Sequence, residues 1–257
     1  MLERTTITTA LRETATHHGV ELLFAIESGS RAWGLAGTDS DYDVRFVYRH
    51  PREWYLRLHP GRDQIGPLMQ YGGELDLAGW DVRKFLHHLA NSNPSVLEWL
   101  ASPQLYYAQD GLLDPLRRLA DGCFRPRKAM AHYLGIAHGA RQTGLGEDGL
   151  WNVKKFFYWF RPILAAAYVQ RYRERPPITL AALLPLVAAA DVVGAIDALT
   201  ALKATVPEDY RHRIDPHLVT YCSALKQQAT EACTALEKEA PPTTEVDAFF
   251  RHIIGWE

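Results

Sequence analysis

The sequence is poor in cysteine. Only Cys123, Cys222 and Cys233 occur among 257 residues, and no two of them have C-x-x-C spacing. An odd and sparse set of this kind argues against a disulfide framework and against a cysteine zinc site. The eleven histidines contain no H-E-x-x-H pattern, which excludes the common zinc protease motif. We therefore expect reduced thiols and a cytoplasmic protein.

The sequence also lacks an excess of charge and a long apolar run. Its formal net charge is −2, so no global positive field draws it to nucleic acid, and any such contact needs a local patch. The longest apolar region, residues 180–202, is interrupted by Pro185, Asp191 and Asp197. The first residues contain no apolar signal segment. These features predict a protein that does not enter a membrane.

Hydrophobic periodicity predicts an α+β fold with two parts. Residues 1–121 contain strands interspersed with helices, and residues 122–257 contain helices alone, with the boundary at Asp121–Gly122. The first part is expected to be a small mixed sheet with flanking helices. The predicted strands cover 20–26, 41–48 and 69–80, the last interrupted by Gly72–Gly73, and 61–67 is predicted to be a loop. The predicted helices cover 6–18, 54–58, 82–90, 94–101, 113–121, 127–143, 150–173, 180–189, 192–203, 216–236 and 246–254.

A Gly-Ser turn and an acidic strand stand close together near the start of the chain. Gly29–Ser30 follows a buried strand, and Asp41 and Asp43 open the next one. Alternate side chains of a strand share a face, so the two carboxylates should project side by side, where they repel unless a cation lies between them. Glycine lets the backbone approach a phosphate, and Mg²⁺ prefers oxygen ligands. The pattern predicts a dication site beside a phosphate cradle, as phosphoryl or nucleotidyl transfer requires.

A third carboxylate is expected, because two metal ions about 3.5–4 Å apart share bridging ligands. Asp76, between Leu75 and Leu77 on the following strand, is the candidate. Asp81 is the alternative, although its place before a helix is explained more simply by an N-cap.

Several basic and aromatic residues are candidates for binding the nucleotide. Lys154, Tyr158 and Arg161 share one face of a predicted helix and would hold a triphosphate and a base. Arg31 follows Ser30 and would reach a phosphate. A second basic group, around the acidic strand, could line a nucleic-acid track, although the net charge favours solvated surface. It comprises Arg45, Arg49, Arg52 and Arg57.

These motifs resemble the DNA polymerase β-like nucleotidyltransferase superfamily. Its signature is a Gly-Ser turn, a D-x-D strand and a third acid nearby, which Gly29–Ser30, Asp41, Asp43 and Asp76 match in order. The stretches 27–45, 75–86, 93–100 and 154–162 are similar to one branch, the RNA repair pathway DNA polymerase β family.

The resemblance implies transfer of a nucleoside monophosphate from an NTP to a hydroxyl, with pyrophosphate released and two Mg²⁺ ions, or Mn²⁺, bound by Asp41, Asp43 and Asp76. Gly29, Ser30, Arg31 and Ser40 would bind the NTP, together with Lys154 and Tyr158 from a helical domain that closes the cleft. The acceptor is expected to be nucleic acid, with an RNA 3′ end as the candidate. Transfer to a protein or a small molecule, and a non-catalytic nucleotide-binding or toxin-neutralising partner, stay open as alternatives.

Overall fold

The chain has an α+β fold, described from a computed structural model. The structure describes residues 2–38, 40–59 and 61–256. A five-stranded mixed sheet is surrounded by helices in the first half, and helices dominate the second half. The predicted fold class is therefore confirmed.

The contacts divide the chain into two compact units. The first unit comprises Met1–Ala32, Asp41–Phe124 and Ala240–Glu257, and the second comprises Trp33–Ser40 and Arg125–Glu239. The segment after Ala32 thus packs with the second unit, and the C-terminal segment packs with the first. The functional division into a catalytic domain and a cleft-closing domain stays a prediction.

The sheet of the first unit has the strand order β3-β4-β2-β1-β5. Its strands are β1 (Glu21–Glu27), β2 (Tyr42–Arg49), β3 (Gln64–Gln70), β4 (Leu75–Asp81) and β5 (Leu105–Ala108). Only the β2–β4 pair among these neighbours is parallel, and the others are antiparallel. Because β2 and β4 run in the same direction, their first residues lie side by side at the same end of the sheet.

The helices pack on both faces of this sheet or form the second unit. Tyr42 and Val44 point towards the face that α1 covers, and Val47 points towards the opposite face, where α4, α5, α6 and α12 contribute to the core. Asp43 therefore lies on the same side of β2 as Val47. The helices are α1 (Arg4–His18), α2 (Gly29–Ala32), α3 (Arg52–Tyr55), α4 (Val82–Ala90), α5 (Pro94–Leu100), α6 (Leu113–Cys123), α7 (Pro126–Gly144), α8 (Val153–Tyr172), α9 (Leu180–Leu183), α10 (Ala190–Thr205), α11 (Pro216–Ala235) and α12 (Thr243–Ile253).

The register of β2 and β4 depends on one aromatic ring over a glycine. Phe46 is the register partner of Gly79, and a Cβ added to Gly79 would lie 2.2 Å from a ring carbon of Phe46. No larger residue fits under the ring without displacing it. This contact holds the two parallel strands in the alignment that sets Asp43 opposite Asp76.

Several predicted elements differ from those of the structure. Residues 64–67 belong to β3 and not to a loop, and the single strand predicted over 69–80 is two antiparallel strands joined by a turn at Tyr71–Gly73. The strand β5 was not predicted, because its four residues carry no clear alternation. Beyond residue 112, where only helix was predicted, β6 (Trp151–Asn152) and β7 (Arg211–His212) form a short ribbon, and α9 ends at Leu183.

The second unit is built around α7, α8 and α11, which pack on one another. Trp151 and Trp159 stack with their ring centroids 4.9 Å apart, and Phe156 lies edge-on to Trp151. Over the described residues, none of the helices is both long and apolar enough to cross a bilayer.

Candidate functional site

The Gly-Ser turn lies directly against the acidic strand. Gly29 begins α2 with a φ of 60°, in the left-handed region that favours glycine. A Cβ added at this position would lie 2.0 Å from Oδ2 of Asp43. The carboxylate of Asp43 thus occupies the space that any other residue at position 29 would need. Ser30 is buried beside it on α2.

A buried glutamate supports the backbone of the acidic strand. Glu27 ends β1 with no exposed surface, and its Oε1 accepts a hydrogen bond of 2.9 Å from the backbone N–H of Asp43. The hydroxyl of Tyr106 donates to its other oxygen. Burial raises the pKa of Glu27 from its ordinary 4.5 to about 7, an effect that these hydrogen bonds only partly offset. Glu27 thereby determines where the main chain of Asp43 lies.

Two of the three predicted acids are brought together around an arginine. Asp43 and Asp76 are register partners on the parallel strands β2 and β4. Nη2 of Arg45 lies 2.9 Å from Oδ1 of Asp43 and 2.8 Å from Oδ2 of Asp76. The prediction that Arg45 belongs to a plainly solvated face is wrong, because its side chain bridges the two carboxylates.

Asp76 retains one carboxylate oxygen that nothing else uses. Its Oδ1 is buried and accepts no hydrogen bond in the described part of the chain. A buried acceptor without a partner is costly, and such positions are often filled by an ion or a water molecule.

Asp41 lies one residue before β2. Its backbone carbonyl accepts a hydrogen bond of 2.9 Å from Nε of Arg31, whose guanidinium lies 3.9 Å from the ring centre of Tyr42. Arg31 therefore stabilises the entry to β2 through the main chain.

The donor set fits a hard divalent cation. Asp43 and Asp76 offer carboxylate oxygens on neighbouring strands, and one of these oxygens is unpaired. Within residues 2–38, 40–59 and 61–256, however, no three His, Cys, Asp or Glu side chains converge closely enough to hold a metal ion. The triad of Asp41, Asp43 and Asp76 stays a prediction for the metal-bound protein.

Asp81 is the N-cap of α4, as the sequence predicted. Its Oδ1 accepts 2.9 Å from the backbone N–H of Arg83, and its Oδ2 accepts 2.7 Å from the hydroxyl of Tyr55. It is fully buried, and burial raises its pKa. Both oxygens thus have partners within the fold, which favours Asp76 over Asp81 as a third metal ligand.

The nucleotide-binding candidates Ser40, Lys154 and Tyr158 belong to the second unit. Ser40 and Lys154 line one small cavity together with Glu208, which forms an ion pair with Lys154. The hydroxyl of Ser40 accepts from the N–H of Gly37 at 2.9 Å.

The other two members of the predicted basic stripe have packing roles. Tyr158 lies edge-on to Trp33, with ring centroids 4.9 Å apart. Arg161 is buried, donates 2.7 Å to the carbonyl of Ile178 and lies 4.4 Å from the ring centre of Trp33. It therefore does not share an open face with Lys154, and the predicted stripe is wrong in this respect.

Sequence reasoning missed the roles of Glu27 and Arg45, although both left a signal. Glu27 is a charged residue directly after the apolar run of residues 22–26 and shortly before the Gly-Ser turn. Arg45 follows Asp43 at strand period, so the alternation that paired the acids also places this cation on their face.

Comparisons with known proteins agree with the resemblance drawn from the motifs. Residues 4–252 match the RNA repair pathway DNA polymerase beta family. The chain is 37% identical over 201 residues to the uncharacterized protein YcgL of Bacillus subtilis (strain 168), covering 77% of this chain and 76% of that protein. A crystal structure of a nucleotidyltransferase-like protein from Exiguobacterium sibiricum 255-15 aligns over 99% of this chain and 80% of that one, at 9% identity and a TM-score of 0.35, which supports no argument about function. On the match over nearly its whole length, the chain belongs to the RNA repair pathway DNA polymerase beta family.

Proposed function

We propose that this chain transfers a nucleoside monophosphate from an NTP to an acceptor hydroxyl. The oxygen of the acceptor forms a bond to the α-phosphorus, and the bond from that phosphorus to pyrophosphate breaks. The observation that carries the proposal is the pairing of Asp43 with Asp76 on parallel strands, directly against the Gly-Ser turn. A non-catalytic binding protein has no need of converging carboxylates beside such a turn.

We assign Asp41, Asp43 and Asp76 to two Mg²⁺ ions, with Mn²⁺ as a substitute. When bound, such ions neutralise charge on the triphosphate and lower the pKa of the attacking hydroxyl. We assign Asp76 the role of general base: its unpaired oxygen would accept the proton of the acceptor hydroxyl. Gly29 and Ser30 are assigned to the triphosphate, since backbone N–H groups at such a turn attract anions.

The remaining nucleotide contacts are assigned to four side chains. Arg31 and Lys154 supply positive charge to the phosphates, Ser40 a hydroxyl, and Tyr158 an aromatic surface for the base. Lys154 would exchange its partner Glu208 for a phosphate oxygen. These four assignments are proposals based on residue chemistry and on the family pattern.

We propose an RNA 3′ end as the acceptor, since the family description refers to RNA repair. The test uses each α-³²P-labelled NTP with Mg²⁺ and an RNA that ends in a 3′ hydroxyl, beside the same RNA ending in a 3′ phosphate. We expect label on the 3′-hydroxyl RNA alone. Label on the protein or on a small molecule would support nucleotidyl transfer but would identify a different acceptor. Absence of both label transfer and pyrophosphate release with every NTP would refute the proposal.

The control for this assay is a pair of acid-to-amide changes. Asp41→Asn with Asp43→Asn should abolish transfer, because two of the three proposed metal ligands lose their charge. Asp114→Asn, in an exposed side chain at the start of α6, should leave transfer unchanged. Wild-type transfer by the double variant would remove these residues from the site.

A further inference from the structure

Arg45 makes an unusual set of contacts for an arginine on a strand. Nη2 bridges Asp43 and Asp76 at 2.9 and 2.8 Å, and Nη1 donates 3.1 Å to the backbone carbonyl of Asp76. Only about a fifth of each side chain in the Arg45–Asp43 pair is exposed, and less of Asp76. The guanidinium is therefore held in place by its own strand, β2, and by the neighbouring strand β4.

We propose that Arg45 is an internal counter-cation for the candidate metal site. In the metal-free protein it bridges Asp43 and Asp76, and it competes with a divalent ion for these two carboxylates. Arg45 is in this sense a positioning residue, because it acts on the reaction only through the two acids. The inference rests on the proposed function, which assigns these acids to metal.

The first argument is electrostatic. Two carboxylates on register partners of adjacent strands repel each other when both are ionised and no cation lies between them. Arg45 offsets this repulsion, because its guanidinium lies between the two carboxylates. The acids are thus aligned before any ion arrives, and the alignment does not depend on metal.

The second argument is competition for the same oxygens. Each carboxylate gives one oxygen to Nη2 of Arg45, and the oxygen of Asp76 that remains is the one without a hydrogen bond. A guanidinium has only donors and is no metal ligand. A cation that takes the two oxygens held by Arg45 has to replace these charge-assisted hydrogen bonds, and the positive charge of Arg45 repels a second cation beside it. Arg45 therefore weakens the apparent affinity for metal.

The experiment measures binding of Mn²⁺ alone to metal-stripped protein, from the electron paramagnetic resonance signal of the free ion. Arg45→Met has a similar length and no charge, and it should bind Mn²⁺ about tenfold more tightly than wild type, or better. Its melting temperature in EDTA should fall, and Mn²⁺ should raise it by more than in wild type. Equal Mn²⁺ affinity in Arg45→Met and wild type would overturn the inference.

Arg49 offers a matched control on the same strand. It also forms an ion pair with a carboxylate, Glu21, and Arg49→Met should leave Mn²⁺ binding unchanged. Arg45→Lys keeps the charge and loses the planar fork that reaches two acids. Its Mn²⁺ affinity should lie between those of wild type and Arg45→Met. If Arg45→Lys bound Mn²⁺ with the affinity of wild type, the positive charge alone would account for the effect on metal binding, and the bridging role of the guanidinium would be overturned.

The same measurement separates this inference from the proposed function. Wild-type Mn²⁺ binding that disappears in Asp76→Asn but does not change in Arg45→Met would refute the role of Arg45 and leave the metal assignment in place. No Mn²⁺ binding by wild type or by any Arg45 variant would overturn both.

Discussion

Replacement of Glu27 by glutamine should stabilise the metal-free protein at high pH. Glu27 is fully buried at the end of β1, and its pKa is raised by burial to about 7. Glutamine has the same shape. Its amide oxygen would accept from the N–H of Asp43, and its amide nitrogen would donate to the hydroxyl oxygen of Tyr106, so the local hydrogen bonds are retained in number.

The size of the effect follows from the shift in pKa. A carboxyl that titrates at 4.5 when unfolded and at about 7 when folded binds its proton more tightly in the folded state. Its contribution to stability is fully present below pH 4.5 and is lost as the pH rises through about 7. The complete loss corresponds to about 3 kcal/mol. The Glu27→Gln variant has no titrating group at this position, so its free energy of unfolding does not decrease in this way.

The assay is urea unfolding in EDTA at intervals between about pH 4 and about pH 9, with the free energies of the two proteins compared at each pH. The difference in favour of Glu27→Gln should be small at the acid end and should grow to about 3 kcal/mol above pH 7. Glu21→Gln, in an exposed side chain at the start of the same strand, should differ from wild type by less than about 1 kcal/mol throughout. A difference that does not grow with pH would refute the reasoning, because it would mean that Glu27 does not titrate near neutrality.

Three further predictions concern the other candidate residues. Asp76→Asn should abolish transfer in the nucleotide-labelling assay and lower stability in EDTA by about 1 kcal/mol, since one charged partner of Arg45 is lost; retained transfer would exclude it as a metal ligand. Asp81→Ala should cost about 2–4 kcal/mol in urea unfolding, because it removes an N-cap and leaves the hydroxyl of the half-buried Tyr55 without its acceptor, and it should keep measurable transfer. A stable but inactive Asp81→Ala would identify Asp81 as the third acid. Lys154→Ala should raise the KM for NTP by about tenfold to a hundredfold through loss of a phosphate contact, with little change in melting temperature; an unchanged KM in both Lys154→Ala and Lys155→Ala would remove α8 from the nucleotide site.

The elements that sequence reasoning predicted well are those with a strong local signal. The helix α4 was placed at its observed residues because Asp81 is an N-cap and Phe85, Leu86 and Leu89 have helical spacing. The cap of α5 by Asn93, followed by proline, gave an equally clear start. Such signals depend on a few neighbouring residues, and the pattern alone contains them.

The features that were missed depend on partners far along the chain. The four residues of β5 become a strand because they pair with β1, and the two-residue strands β6 and β7 pair with each other across about 60 residues of chain. Local propensity cannot encode a pairing of this kind.

The residue types of the candidate site could be predicted from the sequence, but the contacts between these residues could not. The alternation at Asp41 and Asp43 indicated an acidic face, but only the parallel register puts Asp76 opposite Asp43. Arg45 was assigned to a surface because its two acidic partners come from different strands. The alternation predicts repulsion between Asp41 and Asp43, whereas the fold places a cation, Arg45, between Asp43 and Asp76.

The contact of Phe46 with Gly79 has a consequence for the order in which the chain folds. A slip of one residue would bring the side chain of Ala78 or Trp80 under the ring, where a Cβ has no room, so β4 can dock on β2 in one alignment. The two strands are separated by β3 and its loops, so this pairing closes a long stretch of chain, whereas the antiparallel pairing of β1 with β2 is more local. A partly folded chain that contains only the β1–β2 pair has the Gly-Ser turn and Asp43 in place but leaves Arg45 with one acid. The bridge to Asp76 thus forms only when β4 docks, and we expect the acidic site to be assembled after the β1–β2 pair.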